Sequence, residues 1–155
     1  SLALVQAIAG PAQAQQLAQR LGVKDWGSAH HSADFQLHRS HMLTAAGNWL
    51  AFWSHQTLGI PIADGVDEIS LALLADAYSR TYRSSAYALA PGKTHITSRH
   101  GLLWLPDQQA VDHSTPLPDK VPAVAVLDLA LQQISRSYGP ATAAFVALQL
   151  EYPQP

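Results

Sequence analysis

Ile60-Pro61-Ile62-Ala63-Asp64-Gly65-Val66-Asp67-Glu68-Ile69 is the stretch on which the fold turns. Leu58 to Ile62 is short, apolar and β-branched at its end, with Gly59 and Pro61 inside it, which is the pattern of a buried strand. Asp64-Gly65 is a turn signal. From Val66 to about Tyr82 the spacing predicts a helix, with Ile69, Leu73 and Ala77 on one row and Leu71, Leu74 and Tyr78 on another. A helix apolar on more than one side has to be covered on most of its faces. Asp67 and Glu68 fall at its start, where negative charge complements the helix dipole.

Downstream, Ala86–Ala90 reads as a second strand and Pro91-Gly92 as a tight turn. Thr94–Ser98 and Leu102–Leu105, divided by Gly101, read as two short strands that Pro106-Asp107 ends. Residues 108–122 carry Pro116, Pro118 and Pro122 without an apolar pattern and are expected to form a connector. Val124, Leu127, Leu131 and Ile134 mark one helix, and Gly139-Pro140 opens another through Ala141, Phe145 and Leu148.

Upstream, Leu2, Val5 and Ile8 repeat at helical spacing until Gly10. Pro11 then starts a helix whose face is Ala14, Leu17, Ala18 and Leu21, with Gly22 as its stop. Residues 23–39 are polar and His-rich and are expected to be loop. Met42, Ala45, Ala46, Trp49, Phe52 and Trp53 then give a further helical face, whose aromatics read as core or interface anchors.

Composition narrows the function. The chain is 48% hydrophobic and 13% charged, with a formal net charge of −2. Its 9 Lys and Arg are spread out, so it lacks the clustered cations that nucleic-acid phosphates require. No cysteine is present, which removes disulfides, thiolate metal sites and a Cys nucleophile. No apolar run approaches membrane-spanning length, and Ser1–Gly10 lacks the charged start of a signal peptide. The chain opens on Ser1 inside an apolar-periodic segment, and the expectation is that its true beginning is missing. A cytoplasmic location is slightly favoured, with export left open.

The two ends echo one another: helix, Gly10-Pro11-Ala12, Ala-rich helix, and again helix, Gly139-Pro140-Ala141, Ala-rich helix. Helix-stop chemistry alone can produce this, and so can duplicated modules that share a closing helix pair. The middle supports duplication. Ile60–Ile69, continuing to Asp76-Ala77-Tyr78-Ser79-Arg80, resembles the opening of the ThiJ/PfpI family of glutamine-amidotransferase-like proteins. Ser98-Arg99-His100-Gly101-Leu102-Leu103-Trp104-Leu105-Pro106-Asp107 is similar to that family's hairpin stretch, and Ala147–Pro153 to the terminus of a subgroup.

The resemblance implies a three-layer α/β fold with a small, mostly parallel sheet and flanking helices, an incomplete flavodoxin-like or glutamine-amidotransferase-like module. It implies three parts: residues 1–22 as the closing helix pair of an upstream module, 23–56 as connecting loop and aromatic helix, and 57–155 as a degenerate module. Family enzymes hold a Cys on a strained strand-to-helix turn, and a Glu on the first helix that bonds the thiolate. Here the Cys-bearing segment is absent and Ser70 stands at the acid's position, with Glu68 two residues earlier. The resemblance places Arg80 and Arg99 where relatives keep arginines near the site or dimer contact, which makes Glu68, Arg80 and Arg99 the candidate binding residues.

Other chemistry is thinner. Gly27-Ser28 lacks the second glycine and the preceding strand of a serine elbow. His30, His31, His38 and His41 cluster near Asp34, leaving a metal site open, though without a His-Glu-x-x-His frame and with solvated or capping histidines as the plainer reading. Three readings result. The favoured one is a non-catalytic module for scaffolding, dimerisation or ligand sensing, needing no cofactor or metal and paired with an upstream half or a second copy. The others are the supporting part of a Cys-dependent amidase, hydratase or glyoxalase-like enzyme with its nucleophile upstream, and a His-based metal binder.

Overall fold

The computed structural model describes residues 2–24, 26 and 31–153. Strand β1 (Gln56–Pro61) leads through the Asp64-Gly65 turn into helix α4 (Glu68–Ser79), which returns to strand β2 (Ser84–Leu89). β1 and β2 pair in parallel from Gln56↔Ser84 to Pro61↔Leu89, so the quoted stretch builds the βαβ unit expected of it. β3 (Ile96–Thr97) and β4 (Leu103–Trp104) form a separate antiparallel hairpin.

Residues 108–122, expected to be connector alone, also contain a strand. β5 (His113–Ser114) lies parallel to β1 on the side away from β2, giving the order β2-β1-β5. Backbone bonds from Asp112 N to Thr57 O at 3.0 Å and from Thr115 N to Gly59 O at 2.8 Å hold it to β1, and Asp112 Oδ2 adds a clasp by accepting from both the backbone N–H and the hydroxyl of Thr57, each at 2.8 Å. A strand of two residues leaves no alternating pattern to read.

Helix α5 (Ala123–Tyr138) packs on α4, α6 (Pro140–Gln149) packs on α5, and α3 (Arg39–Leu50) packs on α6. The result is a three-layer α/β fold, a small parallel sheet flanked by helices. Its core joins Leu58, Ile60 and Ile62 of the sheet segment to Leu71, Leu74 and Tyr78 of α4 and to Val126, Ala130 and Ile134 of α5. Gly59 is fixed by close approach, because a Cβ there would sit 2.5 Å from Leu89 Cδ1 and 2.9 Å from Val111 Cγ2.

The terminal helix pairs share geometry as well as sequence. α1 (Leu2–Ala9) and α2 (Pro11–Leu21) join at Gly10 with φ 89° and ψ 166°, and α5 and α6 join at Gly139 with φ 89° and ψ 157°. Setting Gly139 on Gly10 aligns identical residues at Leu2/Leu131, Pro11/Pro140, Ala12/Ala141, Ala14/Ala143, Ala18/Ala147 and Leu21/Leu150. The same register matches the far ends: Val23 N–H bonds Ala18 O and Tyr152 N–H bonds Ala147 O, each at 2.9 Å. Both are the six-to-one closure of a Schellman turn, around a residue of positive φ, Gly22 in one and Glu151 in the other.

Helix α3 departs from expectation. Its apolar stripe, read as core or interface anchors, is not core in this chain: Met42, Trp49, Phe52 and Trp53 are all exposed. The buried position is Asn48, whose Nδ2 donates to Thr81 O at 2.9 Å and Thr142 Oγ1 at 3.1 Å. A buried amide with both protons committed is a stable anchor, and it turns the greasy face of the helix outward.

Candidate functional site

The order β2-β1-β5 reverses direction at β1, and in open parallel α/β sheets ligands enter beyond the carboxyl ends of the strands at such a point. In this chain that place lies between the β1–α4 turn and the segment joining β5 to α5. A cavity of about 360 Å³ occupies it, lined by Gly65, Asp67, Ser70 and Arg99 on one side and Lys120 on the other, with Arg20 reaching in from α2.

One wall is an ionic lattice that ties the β3–β4 hairpin to the start of α4. Asp67 caps the helix, its Oδ1 accepting from Ile69 N at 3.1 Å and Ser70 N at 2.9 Å, while its Oδ2 accepts from Arg99 Nη1 at 2.8 Å. Asp64 Oδ1 accepts from Thr97 N at 2.9 Å, and its Oδ2 lies 3.8 Å from Lys93 Nζ. Glu68 Oε1 meets His100 Nδ1 at 2.8 Å, with only 12% of the Glu68 side chain exposed. Backbone bonds run beside these contacts, from Gly65 N to Thr97 O and from Arg99 N to Val66 O, both at 2.8 Å. The Glu68 carboxyl is held below its usual range by its own backbone N–H, against burial, with His100 adding to the effect.

Of the residues nominated from sequence, Glu68 and Arg99 come together at the start of α4. Arg80 stands at the opposite end of that helix, where Nε bonds Asp76 Oδ2 at 2.9 Å. Ser70 is buried. His100 was missed. Its contact with Glu68 joins residues 32 positions apart, which meet only when the hairpin folds back on α4.

Of the His cluster, His38 and His41 lie together at the start of α3, with ring centroids 5.6 Å apart. His41 Nδ1 accepts the His38 backbone N–H at 3.1 Å, which is a helix-capping use of the ring. Among the described residues no group of three His, Cys, Asp or Glu could hold a metal ion. Ser28 and His30 lie outside the described residues. Among those described, no helix is long and apolar enough to cross a membrane.

No protein-family model matches the chain, and no curated protein matches it.

Proposed function

We propose that this chain is a non-catalytic ThiJ/PfpI-like module of a larger protein, with residues 57–155 as the degenerate copy and its role that of assembly. One observation carries the reading: Asp67 and one oxygen of Glu68 are committed to structural contacts at the start of α4. Asp67 caps the helix and pairs with Arg99, and Glu68 Oε1 meets His100, its Oε2 being buried without a partner. Beside them Ser70 takes the place of the family's acid, and the chain has no thiol for such an acid to activate. Covalent catalysis of the family's type needs a nucleophile and a base within hydrogen-bond reach of one another.

The reading predicts no turnover of methylglyoxal, or of a primary amide, by the purified chain above the rate without protein. Turnover that survives repurification and is lost on Glu68→Gln would overthrow it.

The echo between the helix pairs favours a second reading, in which residues 1–22 close an upstream module and this chain supports a Cys-dependent enzyme whose nucleophile lies there. An upstream strand–Cys–helix turn in the same reading frame, with turnover by the longer protein, would establish that alternative.

A further inference from the structure

We infer that the exposed face of α3 is a homodimer interface, formed by the α3 helices of two copies crossing antiparallel about a twofold axis. The inference deepens the assembly reading above by naming the surface and the partner.

The helix is inverted relative to an ordinary surface helix. Its inward side carries Asn48, Thr44 and Ala45, while Met42, Leu43, Ala46, Trp49 and Leu50 point outward over an arc of roughly 120°. Trp53, just beyond the helix end, extends the stripe, and Phe52 packs edge-on against it with ring centroids 4.9 Å apart. Nothing within the described fold calls for these side chains to face away from Asn48. The anchoring of that amide therefore fixes an apolar face outward.

Size argues for a stable partner. Trp49, Phe52 and Trp53 are 65%, 71% and 78% exposed. At roughly 150–250 Å² for each aromatic side chain, these three alone uncover on the order of 400 Å². With Met42, Leu43 and Leu50 added, the patch exceeds the roughly 300–600 Å² of the largest patch on a typical monomer and approaches the ~800 Å² that each partner gives to a standard interface.

Shape and charge argue that the partner is a second copy. Ala46 is small and exposed at the middle of the outward face, a saddle in the stripe. Large side chains stand on either side of this saddle, Met42 and Leu43 before it and Trp49, Leu50 and Trp53 after it. An antiparallel crossing at Ala46 sets the aromatic end of each helix on the Met42 end of the other, so the surface is complementary to itself, as a twofold interface must be. It also matches thioether with aromatic ring. Arg39 is the helix's one charged residue, and the same crossing brings it near the partner's aromatic end, where a guanidinium is attracted to indole faces.

Analytical ultracentrifugation of the chain across a concentration series, with Trp49→Lys, Trp53→Lys and Leu105→Lys, tests the inference. The unaltered chain is expected at about twice 16.7 kDa. Both tryptophan variants should sediment as monomers with unchanged far-ultraviolet dichroism, and Leu105→Lys, an exposed apolar position on another element, should remain dimeric. Because the chain has no cysteine, Ala46→Cys gives an independent readout: oxidation should link two copies through that position. A monomeric unaltered chain at its highest soluble concentration overturns the inference, as does a dimer that persists in both tryptophan variants or an Ala46→Cys protein that does not cross-link. These outcomes are independent of the turnover assay, so loss of the dimer and discovery of an activity would be told apart.

Discussion

Asp67 joins two structural duties in one carboxylate, and its replacement measures how much of the candidate site is scaffold. Its Oδ1 satisfies backbone donors at the start of α4, and its Oδ2 holds Arg99 of the hairpin. Losing an Asp cap costs about 1 kcal/mol, within a range of roughly 0.5–2. An exposed ion pair adds only about 0.2–1 kcal/mol. Asp67→Ala is therefore expected to destabilise the chain by about 1–2 kcal/mol, and Arg99→Ala by the smaller amount alone. Urea unfolding of both variants checks the ratio. Equal losses would mean that the ion pair, and not the cap, is the principal contact. The cap was legible from sequence, because an Asp before an apolar-periodic run has few better uses. The Glu68–His100 contact was not, since it joins residues that meet only once the hairpin folds back on the helix.

Among the elements, the helix pairs show how a short string can fix geometry. A residue at φ 89° with ψ near 160° occupies a region essentially restricted to glycine, so Gly10 and Gly139 set the angle between the helices they join. The consequences of replacing them differ. α5 and α6 bury Val126, Ala130, Ile134, Phe145 and Val146, whereas α1 has no buried residue and leaves Leu4 and Ile8 exposed. Gly139→Ala is expected to cost roughly 1–3 kcal/mol of global stability, the penalty of forcing a Cβ into that region. Gly10→Ala should leave the main thermal transition nearly unchanged, because α1 can swing away without opening the core. Calorimetry of both variants decides the matter, and a comparable loss at Gly10 would show that α1 belongs to the same cooperative unit. The echo itself was readable because Gly-Pro chemistry is local. The outward turn of α3 was not: a helical stripe looks the same whether it faces in or out, and the deciding contact, Asn48 to Thr81 and Thr142, spans distant parts of the chain.

Over the whole molecule, the strands and helices with long apolar patterns were legible, while β5 was hidden because two residues beside the Asp112–Thr57 clasp carry no pattern. That clasp also shapes the pH range in which the fold is stable. Asp112 is held below its ordinary value of 3.8 chiefly by the Thr57 backbone N–H, and Glu68 below 4.5 chiefly by its own backbone N–H. A depressed carboxyl contributes stability that is present above its unfolded pKa and is lost as pH falls through the folded one. Tyrosines set the other limit. Tyr78 and Tyr138 are raised above 10.0 chiefly by burial, and Tyr152 is pushed up to about 12, first by burial and then by Asp128, to which its hydroxyl donates at 2.7 Å. A raised phenol contributes stability that is complete below 10.0 and declines as pH rises toward the folded value, because the unfolded chain releases its proton first. Urea midpoints should therefore be level from about pH 5 to about pH 9.5, fall on the acid side through the carboxyls and fall on the alkaline side through the phenols. Tyr152→Phe keeps the ring but removes one of the three ionising groups, so it should make the alkaline limb shallower while leaving the acid limb unchanged. If the alkaline limb of Tyr152→Phe overlays that of the unaltered chain, the Asp128 contact does not hold the C-terminal turn to α5 in solution.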